Sequence, residues 1–129
     1  MARVLIIDDD SEIVSILSEI LKHDGHTADS AGDPVEGMQK SRQFKPDLII
    51  LDYHMPGNTG AHLFESLRRN SATKLTPILF MSGEASPEHI LSEISDTEAS
   101  RFLPKPVSLA DFRLAIGEML AERVARREV

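Results

Sequence analysis

Three short apolar runs, Val4 to Ile7, Leu48 to Leu51 and Ile78 to Met81, constrain this chain more than any other feature of it. Each is rich in branched side chains, too short for a helix, and free of the alternating polar residues that mark a half-exposed strand. Unbroken apolarity of this kind belongs to strands covered on both faces, as in a parallel sheet between helices. Parallel strands need long crossovers, and the segments between the runs carry helical patterns.

Ile13, Ile16, Leu17, Ile20 and Leu21 recur at helical spacing, and Gly25 lies just beyond them as a stop signal. Asp33-Pro34 offers an N-cap followed by proline, opening a second helix toward Phe44 that Gly37 is expected to loosen. His26 to Ala31, between these helices, reads as a less apolar strand. Leu63, Phe64 and Leu67 mark the inner face of a third helix ending near Asn70, and Ser86-Pro87 caps a fourth carrying Ile90, Leu91 and Ile94. Arg101 to Leu103 reads as the last strand. Ser108, with Asp111 three residues on, opens a final helix with an expected inner face of Leu109, Phe112, Ile116 and Leu120.

Strand and helix thus alternate five times, without internal repeat, low-complexity stretch or linker. Right-handed crossovers turn that order into a doubly wound, five-stranded parallel sheet flanked by five helices, an α/β fold. At 129 residues the chain has the size of one domain. With 41% hydrophobic and 27% charged residues it has a globular composition. There is no cysteine for a disulfide or thiolate site. The opening residues show no signal-peptide pattern and no run reaches membrane-spanning length, so a cytoplasmic setting is expected. A net charge of −7 argues against direct binding of nucleic acid.

In doubly wound sheets ligands collect at the carboxyl ends of the strands, beside the point where strand order reverses. The first strand runs into Asp8-Asp9-Asp10, the third into Asp52, the fourth into Ser82 and the fifth into Lys105. Carboxylates converging there repel one another, which raises some of their pKa values or recruits a cation. Mg²⁺ suits such hard oxygen ligands. Carboxylate, Mg²⁺, lysine and hydroxyl together supply the positioning and charge neutralisation that phosphoryl transfer requires.

Val4-Leu5-Ile6-Ile7-Asp8-Asp9-Asp10, Asp47 to Asp52 followed by Met55-Pro56-Gly57 and Gly60, Met81-Ser82-Gly83, and Phe102-Leu103-Pro104-Lys105-Pro106 together resemble response-regulator receiver domains. The match runs from about Arg3 to about Leu120, in order and at the right spacing, and four motifs in register are far more specific than one. The resemblance implies that the fold is flavodoxin-like, that Asp52 is the phosphoacceptor and that Asp9 is a direct Mg²⁺ ligand. Asp8 would be a supporting acidic residue that holds the metal through water, Asp52 would join the metal's ligands, and the backbone carbonyl of His54 would be a further one. Ser82 and Lys105 would contact the phosphoryl oxygens, the Lys105-Pro106 bond would be cis, and Phe102 would be an aromatic whose rotamer follows phosphorylation. His54 and Glu84, two residues past site residues, would tune dephosphorylation.

It also implies a receiver unit over residues 1–121 with a helical extension or tail over 122–129, and no activity beyond the chain's own phosphorylation and dephosphorylation. The implied partners are a sensor histidine kinase or histidine phosphotransfer protein and a downstream protein or fused effector domain, with neither nucleic acid nor membrane. A phosphorylation-dependent homodimer stays open. Three departures stand out: Glu98 occupies the usual glycine position before the switch aromatic, Ser82 replaces the commoner threonine, and Phe102 lacks the phenolic hydroxyl of tyrosine.

Plainer readings exist for each residue. Asp10 or Ser11 can be the N-cap of the first helix, Lys105 a turn residue between prolines, Phe102 ordinary core, and the five histidines surface residues. Arg123, Arg126 and Arg127 are most simply a solvated helix end or, alternatively, the start of a connector. Asp8-x-Asp10 after a strand also fits a haloacid-dehalogenase-like phosphatase with Asp8 as nucleophile. That reading leaves Asp52 and Met55-Pro56-Gly57 without purpose, and an interaction module that never phosphorylates leaves the whole constellation so.

Overall fold

The computed structural model describes residues 2–55, 58–83, 88, 90, 92, 100–105 and 107–127, with the backbone alone for residues 58–59 and 124–127. Its elements follow in the order β1 (Arg3–Ile7), α1 (Ser11–His23), β2 (Thr27–Ala31), α2 (Pro34–Phe44), β3 (Leu48–Asp52), β4 (His54–Met55), β5 (Asn58–Thr59), α3 (Gly60–Arg69), β6 (Ile78–Ser82), β7 (Ser100–Pro104) and α4 (Leu109–Arg127). Five strands form one parallel sheet in the order β2-β1-β3-β6-β7, and β4 and β5 make a separate antiparallel pair. The order reverses between β1 and β3, so the crevice lies over the ends of these two strands. Glu88, Ile90 and Ser92 are helical. The rest of the helix expected after Ser86-Pro87, including Leu91 and Ile94, lies outside the described residues, as does Glu98.

The unbroken apolar runs divide by strict alternation between two layers. Leu5, Ile7, Ile49, Leu51, Ile78 and Phe80 pack with Leu63, Phe64 and Leu67 of α3 on one face. Val4, Ile6, Leu48, Ile50, Leu79 and Met81 pack with Leu17 and Leu21 of α1 and with Phe112, Ala115, Ile116 and Met119 of α4 on the other. The expected inner face of the last helix needs one correction. Leu109 is 47% exposed, because it sits in the first turn, and Ala115 and Met119 take its place under the sheet.

Helix ends are where the local signals place them. Asp10 is the N-cap of α1, its Oδ1 accepting from the N–H groups of Glu12 (3.0 Å) and Ile13 (3.4 Å). At the other end Gly25, with φ +90°, donates to the Lys22 carbonyl while His26 N–H reaches that of Leu21, the paired bonds of a Schellman motif. Asp33 caps α2 through Glu36 N–H (2.8 Å), and the Glu36 side chain returns to Gly32 N–H (2.8 Å). Gly37 does more than loosen that helix: a Cβ there would stand 3.0 Å from Ile7 Cδ1, so its absence lets α2 lie close against β1.

Candidate functional site at the carboxyl edge of the sheet

Backbone pairing carries past the strand ends and fixes the rim. Asp8 N–H donates to Ala31 O (3.0 Å), Tyr53 N–H to Met81 O (3.1 Å) and Lys105 N–H to Ser82 O (3.0 Å). Asp8, Asp52, Ser82 and Lys105 are thereby set side by side across four neighbouring strands. Asp8 (4% exposed), Asp52 (5%) and Ser82 (1%) are buried, whereas Asp9 turns out to solvent.

Asp8 has both oxygens engaged. Its Oδ1 accepts from Asp10 N–H (2.9 Å) and its Oδ2 from Lys105 Nζ (2.9 Å). The same ammonium stands 3.5 Å from Asp52 Oδ1, which also accepts from His54 N–H at 3.3 Å. One carboxylate oxygen from each of Asp8, Asp9 and Asp52 lies within 4.8 Å of the other two.

Burial and the neighbouring charge of Asp8 push the Asp52 carboxyl up to about 7, against the opposing pull of Lys105 and the His54 N–H. Burial works against the charge of Lys105, but its bonds and charge interactions with Asp8 and Asp52 prevail and hold it above the usual lysine range. One ammonium is therefore not enough positive charge for these carboxylates. Three hard oxygen donors short of positive charge fit a small divalent cation of the Mg²⁺ type, and they lack the nitrogen or sulfur donors that zinc favours.

The chain after Asp52 doubles back sharply. The pair His54↔Thr59 and Met55↔Asn58 closes a short ribbon, and Gly60 N–H donates to Tyr53 O at 2.6 Å. A Cβ on Gly60 would stand 2.7 Å from Tyr53 Cα and 3.1 Å from the Asp52 carbonyl, so only glycine permits this approach. Sequence patterning did not reveal the ribbon, whose strands are two residues each, nor the role of Tyr53. That ring is fully buried, edge-on to His54 (centroids 5.1 Å apart) and to Phe80 (6.0 Å). The only available signal was an aromatic residue directly after a strand-end aspartate.

Of the other expected site residues, Phe102 lies in register with Phe80 on the neighbouring strand and is half-buried against the α3-side core. His54 is exposed. Pro56, Gly57, Glu84 and Pro106 lie outside the described residues, and with them the geometry of the Lys105-Pro106 bond. Asp10 takes the plainer of its readings, a helix cap.

The family model described as response regulator receiver domain matches residues 4–117. The chain belongs to the response regulator receiver domain family. Chemotaxis protein CheY4 of Vibrio cholerae, a solved structure, superposes on this receiver domain with a TM-score of 0.84 at 32% identity, covering 92% of this chain and 98% of that one. The DNA-binding dual master transcriptional regulator RpaA of Synechocystis sp. is 30% identical over 120 residues, 93% of this receiver domain but 49% of RpaA. The transcriptional activator protein PfeR of Pseudomonas aeruginosa is 33% identical over 109 residues, 84% of this chain and 34% of PfeR. The receiver domain thus spans half or less of the length of these two regulators. Its phosphoaccepting role in two-component signalling follows from the family, and the haloacid-dehalogenase reading draws no support from it. Among the described residues no helix is long and apolar enough to cross a membrane.

Proposed function

We propose that Asp52 accepts a phosphoryl group from a phosphohistidine on a sensor histidine kinase or histidine phosphotransfer protein. An Asp52 carboxylate oxygen attacks phosphorus, the P–N bond breaks, and the leaving imidazole keeps the electron pair and takes a proton. Hydrolysis later returns the carboxylate and inorganic phosphate, so the chain catalyses its own phosphorylation and dephosphorylation and nothing further. The single observation that carries this reading is the setting of Asp52: a buried carboxylate with Asp8 beside it and Lys105 Nζ 3.5 Å away. A carboxyl with a pKa of about 7 is only partly ionised at neutral pH, and extra positive charge in the site is what makes it a ready nucleophile.

Mg²⁺ would be held by Asp8, Asp9 and Asp52, with the His54 carbonyl as a further ligand. When bound it neutralises nucleophile and incoming phosphate alike. Lys105 then has a reason to be shared: a short swing from Asp8 brings its ammonium to a phosphoryl oxygen, and the Ser82 hydroxyl supplies a second donor. His54 and Glu84 tune the lifetime of the acyl phosphate by flanking the approach of water. Phe102 follows the Ser82 movement and carries the change toward a downstream protein or fused effector domain, with homodimerisation on phosphorylation as one form of output.

The reading further places the chain in the cytoplasm, with the receiver unit over residues 1–121 and an extension over 122–129. Its net charge of −7 disfavours direct contact with nucleic acid. Incubation with acetyl phosphate and Mg²⁺, followed by mass spectrometry, tests the assignment: one phosphoryl group is expected, on Asp52, lost on chelation and in Asp52→Ala. Label on Asp8, or undiminished modification of Asp52→Ala, overturns it. Equal phosphoryl lifetimes in wild type, His54→Ala and Glu84→Ala would remove the tuning roles alone.

A further inference from the structure

At the opposite end of the sheet from Asp52 lies a cavity of about 600 Å³. Pro46 and Asp47 enter it just before β3 begins, while Asp52 ends that strand; at about 3.3 Å per residue the two sites are some 15–20 Å apart. Its walls come from the end of α2, the turn between α3 and β6, and the last part of α4. They carry Arg42, Lys45, Lys74 and Arg123 against the one carboxylate of Asp47, a local excess of three positive charges in a chain of net charge −7.

Three of those four cations are not the usual paired surface charges. Lys40, Arg101, Lys105 and Arg113 each meet a carboxylate elsewhere on the molecule. Arg42, Lys45 and Lys74, by contrast, have neither an ion pair nor a side-chain hydrogen bond among the described residues. Only Arg123 is held, by Asp47 Oδ1 at 2.7 Å. Converging like charges repel, so their collection in one concavity is unfavourable until an anion enters.

The frame around them is built rather than loose. Arg3 N–H donates to Asp47 Oδ2 (2.8 Å) and Asp47 N–H to Arg3 O (2.7 Å). The α3–β6 turn is pinned by Arg68 Nη1 to the carbonyls of Thr73 (3.3 Å) and Thr76 (2.6 Å), and by the Thr73 hydroxyl to Leu67 O (2.6 Å). Pro46, Ala72 and the largely exposed Leu75 add apolar lining.

We propose that this cavity binds a small phosphate-bearing anion of nucleotide or oligophosphate size, its phosphates on Arg42, Lys45, Lys74 and Arg123 and any flat apolar portion against Leu75. The volume suits a small ligand, and the charge excess matches a chain of two or three phosphates. The site is independent of the phosphoacceptor, and the entering anion competes with Asp47 for Arg123 at the end of α4.

The test is titration of the full isotope-labelled chain with ATP and, separately, tripolyphosphate, both without Mg²⁺, monitored by backbone amide shifts. Saturable shifts at Lys45, Ser71 to Thr76 and Arg123 are expected, weakening with added salt. Tighter binding of ATP assigns the site to nucleotides, and equal binding assigns it to oligophosphates; either supports the proposal. Lys45→Gln/Lys74→Gln should weaken binding about tenfold or more, while acetyl phosphate still modifies Asp52 at the wild-type rate. The proposal is overturned by shifts confined to Asp8, Asp52 and Lys105, by no saturation below ~10 mM, a dissociation constant beyond which so many cations offer nothing specific, or by unchanged affinity in the double variant. An oligoglutamate peptide binding more tightly than both phosphates also overturns it and assigns the surface to an acidic protein segment.

Discussion

Lys105 Nζ lies 2.9 Å from Asp8 Oδ2 and 3.5 Å from Asp52 Oδ1, so the lysine that serves the phosphoacceptor is bonded to its neighbour. A full bond to Asp52 would hold the nucleophile's electrons in place. Resting on Asp8, the ammonium screens the two carboxylates from each other and stays within reach of whatever Asp52 acquires.

Removing that ammonium should therefore act in two directions. In Lys105→Met, phosphorylation by acetyl phosphate is expected to fall about a hundredfold, because one preorganised charge on the phosphoryl oxygens is lost. Mg²⁺ should bind more tightly, because its competitor for Asp8 and Asp52 is gone. Tyr53 is the chain's one tyrosine and there is no tryptophan, so emission excited at 280 nm reports directly beside Asp52. Weaker Mg²⁺ binding in the variant would mean that Lys105 organises the carboxylates rather than competing for them.

The raised pKa of Asp52 makes stability depend on pH. Its carboxyl ionises near 3.8 in the unfolded chain and at about 7 in the metal-free fold, so the fold favours the protonated form. That contribution is fully present below about pH 4 and is lost as pH rises through about 7. Without Mg²⁺, the urea midpoint of the wild type should be lower at pH 8 than at pH 5, and Asp52→Asn should flatten most of that decline. Millimolar Mg²⁺ should restore the wild type at pH 8, since the cation binds the ionised cluster. A wild-type decline that persists in Asp52→Asn would place the titration elsewhere.

Gly60 sets how tightly the chain turns after the phosphoacceptor. Gly60→Ala forces a Cβ to within 2.7 Å of Tyr53 Cα, a backbone atom that cannot swing aside. A cost of roughly 1–3 kcal/mol is expected from the overpacking, readable in chemical denaturation, together with slower phosphorylation as Asp52 shifts. Gly37→Ala should cost less, because its 3.0 Å contact is with the flexible end of Ile7 and alanine favours the helix. Equal losses in the two variants would show that burial rather than backbone approach decides.

Much of this was legible in the sequence, for reasons that differ by element. Runs such as Leu48 to Leu51 can only be strands covered on both faces, and parallel strands separated by helical patterns leave few topologies. Strand ends then put Asp8, Asp52, Ser82 and Lys105 on one rim before any side-chain geometry is known. Periodicity was weakest where burial depends on neighbours. Leu109 and Ile16 both fit the helical repeat, yet are 47% and 57% exposed. The β4–β5 ribbon and the burial of Tyr53 left no periodic signal, since two residues make no pattern. The basic cavity was invisible for another reason: Arg42, Lys45, Lys74 and Arg123 are scattered along the chain and meet only in the fold.

Ser82 is buried at the end of β6 and its carbonyl accepts from Lys105 N–H, so a shift of this residue toward a phosphoryl oxygen must carry β7 with it. Phe102 lies on β7 in register with Phe80 and is half-buried against the α3-side core, so a shift of β7 changes how deeply its ring is buried. A bound phosphoryl group can bias that burial only through contacts it makes in one state and not the other, and the Ser82 hydroxyl, beside the Lys105 ammonium, is a donor able to supply such a contact. In Ser82→Ala, beryllofluoride at Asp52 should still perturb the amides of Asp8, Asp52 and Lys105, but the shifts at Arg101, Phe102 and Leu103 should shrink severalfold. Thr in place of Ser82 keeps the hydroxyl and should preserve them. If the β7 shifts survive in Ser82→Ala while the rim responds normally, the signal leaves Asp52 by another route, such as the chain connection from Lys105 into β7.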